Sequence, residues 1–171
     1  EIRLSLVGSE MCIRDRDTEA AVILRDEKDF LYWCETQKKP GSCIVFAVHL
    51  DRSGINLRLY AILKEMDYHT DCLLGCTGAI LVDGENELYT KNMAKKIAFS
   101  LNRAGCMLPG HTFAEATGSL KNQTKNAMHR NLSLKEAFFA NAGEAVCHAL
   151  EYADGRTPAH TDGPARLLCI Y

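Results

Sequence analysis

What the sequence lacks most plainly is an excess of positive charge. Twenty Lys and Arg stand against 22 Asp and Glu, for a formal charge of −2 and a pI near 6.3. The lysines at 38, 39, 91, 95, 96, 121 and 125 are dispersed among acids. No basic field exists to gather a polyanion, so nucleic-acid binding is not expected. Nor does any apolar run reach the roughly 18 residues of a membrane-spanning helix. The longest, Cys43 to Leu50, is interrupted by His49, and a membrane span is not expected. The opening EIRLSLVGSE lacks the basic start and continuous apolar stretch of a secretory signal, which leaves the cytoplasm as the expected compartment.

Chemical motifs are equally sparse. Neither G-x-S-x-G nor H-E-x-x-H occurs, and histidines 49, 69, 111, 129, 148 and 160 are scattered. Only His49 stands near a strand end, where packing or solvation is favoured over a functional role. No catalytic residue is assigned. The eight cysteines are expected to be reduced thiols, because a chain with this much aliphatic material needs no disulfide staples. Cys43 and Cys169 lie in apolar runs and read as core. Cys72 and Cys76 form a C-x3-C pair without a second set of soft ligands, so no metal site is assigned.

What is present is a globular composition, 47% hydrophobic and 25% charged, in a length suited to one domain. Ala20 to Leu24 reads as a strand, and Asp26 caps a helix whose inner face carries Phe30, Leu31 and Cys34. Cys43 to Val48 is a continuous β-rich run, the pattern of a strand buried on both faces. A polar turn from His49 to Gly54 then leads to Ile55, Leu59, Ile62, Leu63 and Met66 at helical spacing. Gly78 to Val82 is the third strand, followed by a helix from about Leu88 that turns Met93, Ile97, Leu101 and Ala104 inward and ends at Gly105. Thr112 to Ala116 is a fourth strand, with a polar, helix-prone segment after it. Ser133 and Glu136 have capping-box spacing before a closing helix. Alternating strands and helices, with strands apolar throughout, predict an α/β fold with a doubly wound parallel sheet in a three-layer sandwich.

Ligands of such sheets bind beyond the carboxyl ends of the strands, which directs attention to three loops. In Leu50 to Asn56, Arg52 is placed to meet an anion, and Ser53, Gly54 and Asn56 supply small and hydrogen-bonding groups; a capped turn accounts for the same residues. In Asp83 to Lys91, Asp83 and Gly84 lead to Tyr89, whose ring suits a planar ligand, and to Thr90, a hydrogen-bond donor; packing on the sheet would explain Tyr89 equally. Thr117, Gly118 and Ser119 allow close approach of a ligand, and Ser119 also reads as a helix cap.

The ends of the chain differ from its middle. Residues 1–16, EIRLSLVGSEMCIRDR, resemble a translated sequencing adapter and are read as a non-native scar. Glu10, Met11 and Cys12 are too bulky and acidic for a phosphate loop at Gly8-Ser9. Residues 17–153 form the expected domain, 154–165 a linker rich in turn formers, and 166–171, RLLCIY, the first strand of a following unit.

The order of elements, with TGAILVDGENELYTKNMAKKIAFSLNRAGCMLPG at 77–110 and FAEATGSLKN at 113–122, resembles flavodoxin-like proteins of the NADPH-dependent FMN reductase kind. The likeness covers most of residues 20–153, and the ARLLCIY ending is similar to the opening strand of a second unit, as in tandem relatives. The resemblance implies an incomplete flavodoxin-like domain with FMN at the strand ends. It further implies NAD(P)H as co-substrate and a quinone or other small-molecule electron acceptor, and it allows a homodimer. The three loops above would surround the flavin. The chain departs from the pattern in having no Gly-Ser-rich phosphate loop near its start and no Pro-x-Tyr in 50–56. A cofactor-free flavodoxin-like interaction or dimerisation module beside a flavin-binding domain is the alternative, and a ligand-binding or transferase domain a third.

Overall fold

The computed structural model describes residues 22–110, 112–117, 127–156 and 167–170. The adapter-like residues 1–16, and Gly118 and Ser119, lie outside them. Five parallel strands form one open sheet: β1 (Val22–Leu24), β2 (Cys43–Leu50), β3 (Thr77–Gly84), β4 (Phe113–Thr117) and β5 (Leu167–Ile170), in the order β1-β5-β2-β3-β4. The helices are α1 (Glu27–Thr36), α2 (Leu57–Tyr68), α3 (Glu87–Arg103) and α4 (Leu134–Arg156).

Strand alternation divides the core in two. Ile44, Phe46, Val48 and Leu50 of β2, with Ile80 and Val82 of β3, point to one face and join Phe30, Trp33, Leu59, Ile62, Met66, Ile97 and Leu101 from α1, α2 and α3. Cys43, Val45, Ala79, Leu81 and Ala114 point to the other, where α4 meets them through Ala142, Ala145, Val146, Ala149 and Leu150. Alanines on both sides of that contact let α4 approach the sheet closely. Thr77 secures it, its buried hydroxyl donating to the Ala149 carbonyl at 2.8 Å.

The direction of travel explains which helix lies where. From β1 to β4 the chain moves one way across the sheet, and right-handed crossovers place α1, α2 and α3 together; the return from β4 to β5 runs the other way and puts α4 opposite. Caps start the helices as the sequence anticipates. Asp26 accepts from the Lys28 and Asp29 amides at 3.0 and 2.9 Å. The Ser133 amide donates to Glu136 at 2.8 Å, and the Glu136 amide to the Ser133 hydroxyl at 3.2 Å.

Several boundaries differ from expectation. β2 and β3 each run two residues further, so His49-Leu50 and Asp83-Gly84 are paired strand rather than turn. The reason is mutual: the two strands end in register, and each polar residue meets its partner on the neighbouring strand. α4 continues to Arg156, into the segment read as linker. Leu167–Ile170, anticipated as the start of a following unit, pairs within this sheet between β1 and β2. Among the described residues no helix is long and apolar enough to cross a membrane.

Candidate functional site

Because the strands are parallel, the carboxyl ends of β2, β3 and β4 share one edge, and those anticipated residues that are described, from Arg52 to Asn56, from Asp83 to Thr90 and at Thr117, gather there. Register sets Leu50 opposite Gly84, and Gly84 opposite Thr117. Gly84 leaves little room for a side chain: a Cβ would lie 3.0 Å from Thr90 Cγ2 and 3.1 Å from the Leu50 carbonyl oxygen. This tight corner admits the N-terminus of α3, which Asn86 caps by accepting from the Leu88 amide at 2.9 Å. Tyr89 and Thr90 therefore stand on the first turn of a helix, not in a loop.

The 51–56 turn is organised by Asp51. Its carboxylate accepts from the Ser53 amide at 2.8 Å and from the Ser53 hydroxyl, and these bonds hold it below the usual carboxylate range. The Gly54 amide donates to the Asp51 carbonyl at 3.0 Å, and the Ile55 amide to the Ser53 hydroxyl at 3.3 Å. Thus the amides of Ser53, Gly54 and Ile55, which an anion would need, are satisfied within the turn. Asn56 caps α2 through the Leu59 amide at 3.0 Å and reaches back to the His49 carbonyl at 3.4 Å.

Charges on this rim are paired across the two strand ends. Arg52 Nε donates to Glu85 at 3.0 Å, and His49 Nδ1 lies 3.2 Å from the Asp83 carboxylate. Both pairs face solvent, where such contacts contribute little to stability. On the next strand Glu115 is half-buried, and its removal from water raises its carboxyl above the ordinary value despite nearby Lys91 and Lys95. Thr90 is fully buried and its hydroxyl donates to the Glu87 carbonyl at 3.0 Å.

Beside these solvent-facing charge pairs the rim also exposes apolar side chains. Tyr89 is 39% exposed, Ile55 54%, Leu88 62% and Leu57 78%. Tyr89 lies directly against Gly54, where a Cβ would come within 2.5 Å of its ring. The sequence singled out Tyr89, but Leu57 and Leu88 were missed. Their signal is faint: each is an apolar residue within two positions of a helix-capping asparagine, Leu57 after Asn56 and Leu88 after Asn86. Glu85 and Glu115 were also missed, although the acidic run Asp83-Gly-Glu-Asn-Glu carries one of them in plain view.

The arrangement offers an aromatic ring and aliphatic side chains around a rim of paired charges. That combination suits a planar, largely uncharged group better than a phosphate. Comparison with family models, curated proteins and solved structures finds no match to this chain. Among the described residues no cluster of three or more His, Cys, Asp or Glu side chains is arranged to hold a metal ion.

Proposed function

We propose that this chain is part of a flavodoxin-like, FMN-dependent NAD(P)H oxidoreductase, and that its rim holds the isoalloxazine ring. The observation that carries the reading is the strand order. In flavodoxin-like sheets the order is 2-1-3-4-5 and FMN lies at the switch point beside the first strand. Here β1, β5, β2, β3 and β4 take those places in turn, with β5, the last strand in the chain, in the inner position of the first strand. The switch point then falls between β5 and β2, next to the 51–56 turn.

The residues present fit the ring and not the phosphate. Tyr89, Ile55, Leu57 and Leu88 would cover its apolar surface, and Arg52 would reach a polar edge by leaving Glu85. The amides of Ser53, Gly54 and Ile55 are spent within the turn, so this turn would not hold the phosphate of FMN. The bound flavin would take hydride from NAD(P)H and pass electrons to a quinone or similar acceptor. The chain's part is to exclude water from the ring and to orient it.

Flavin extraction from the purified intact gene product tests this. The expected result is a yellow protein that releases FMN and oxidises NADH or NADPH. A colourless protein that takes up no FMN when titrated contradicts it. The internally satisfied turn favours one second reading, a cofactor-free interaction module. In that case flavin follows a neighbouring domain when the two are expressed apart.

A further inference from the structure

At the opposite, amino end of the sheet, an open cleft of about 440 Å³ lies between the end of α1 and the connection from α2 to β3. Cys34 of α1 and Cys72 of the connection both line it, with Lys38 and His69 beside them. The two thiols are close enough to shift one another's ionisation. Each is partly exposed and backed by the hydrophobic core. Lys38 Nζ donates to the Cys72 carbonyl at 2.7 Å, which fixes the ammonium next to the pair.

We propose that Cys34 and Cys72 form a redox-active dithiol that reacts with a low-molecular-weight disulfide bound in the cleft. The proposal does not rest on the flavin reading. A bound reagent of this class fits in size, since small-molecule sites run from about 300 to 1,000 Å³. The lining suits a molecule carrying charges of both signs, because Lys38 is flanked by Glu35 and Asp71.

The two sulfurs are not equivalent. Cys34 and the nearby Lys38 push the Cys72 thiol down, while Cys72 and burial push the Cys34 thiol well up. Cys72 is therefore the attacking group. Its thiolate displaces one thiolate from the reagent and forms a mixed disulfide. Cys34 then loses its proton to the departing thiolate and attacks the Cys72 sulfur, releasing the second half of the reagent. Overall, two protein thiols and one disulfide give the Cys34–Cys72 disulfide and two small thiols; the protein loses two electrons and the reagent gains them. Cys76 and Cys106 stay out of the exchange, being buried at 1% and 3% exposure, and burial raises Cys76 to about 11.

The test is incubation of the folded full chain with oxidised glutathione, followed by peptide mapping without reduction. The expected product is a Cys34–Cys72 cross-link. The C34S variant should stop at a mixed disulfide on Cys72, and the C72S variant should accumulate no adduct at Cys34 over the same time. Circular dichroism of both variants establishes that they are folded. A cross-link between other cysteines, no cross-link in the folded wild-type chain, or an adduct on Cys34 in C72S would overturn the proposal.

Discussion

Gly54 and Tyr89 fix one another: a Cβ on Gly54 would fall 2.5 Å from Tyr89 Cγ and 2.6 Å from Cδ2, and Gly54 has a φ of +70°. The contact joins the turn after β2 to the first turn of α3. Replacing Gly54 by Ala meets two penalties, the left-handed backbone, worth about 1–2 kcal/mol, and displacement of the ring. The expected loss is about 2 kcal/mol or more in urea unfolding. In a Tyr89→Ala background the ring clash disappears and only the 2.9 Å approach to the remaining Cβ persists, so the loss should shrink. Equal losses in the two backgrounds would refute the contact.

Glu115 gives a pH dependence of unusual sign. Burial raises its folded-state pKa above the unfolded value, so the folded state binds more protons through that interval and stability falls as pH rises. The favourable contribution is complete below the unfolded pKa and lost once pH passes the folded one. Glu115→Gln should flatten this part of the profile and gain stability relative to wild type as pH increases. Thermal midpoints of both proteins from pH 4 to 8 check it.

Most of the architecture was legible because its signals are local. A continuous apolar run marks β2, inward residues at helical spacing mark α2 and α3, and Ser133 with Glu136 announces α4; Ile55, read with the inward face of α2, instead precedes that helix and is exposed. Trp33, which is buried on α1, escaped notice beside Phe30 and Leu31. The strand ends were read too short, since His49 and Asp83 look like turn residues until the register sets them side by side. The place of β5 was illegible for a different reason: parallel pairing with β1 and β2 is decided by partners far away in the chain. At the site, the sequence identified Tyr89 and Gly54 separately. Their contact, and the consumption of the turn's amides by Asp51 and Ser53, arise only from folding.

Thr77 joins β3 to α4 through its hydroxyl. Thr77→Val keeps the shape and removes the donor, and should cost about 1 kcal/mol in chemical denaturation. No change would mean that alanine packing alone holds α4 in place.

Helix capping gives a smaller, separable effect. Asp26→Ala removes the acceptor of two amides of α1 and should cost about 1 kcal/mol. Asp26→Asn should restore most of it, because the amide oxygen accepts the same bonds.

FMN titration of the intact gene product, freed of flavin and followed by quenching of flavin fluorescence, bears most directly on the proposed role of the rim. Saturable binding is expected, weakened about tenfold by Tyr89→Ala as one aromatic contact is lost. Absence of quenching, or an affinity unchanged by Tyr89→Ala, would contradict a rim that holds the isoalloxazine ring.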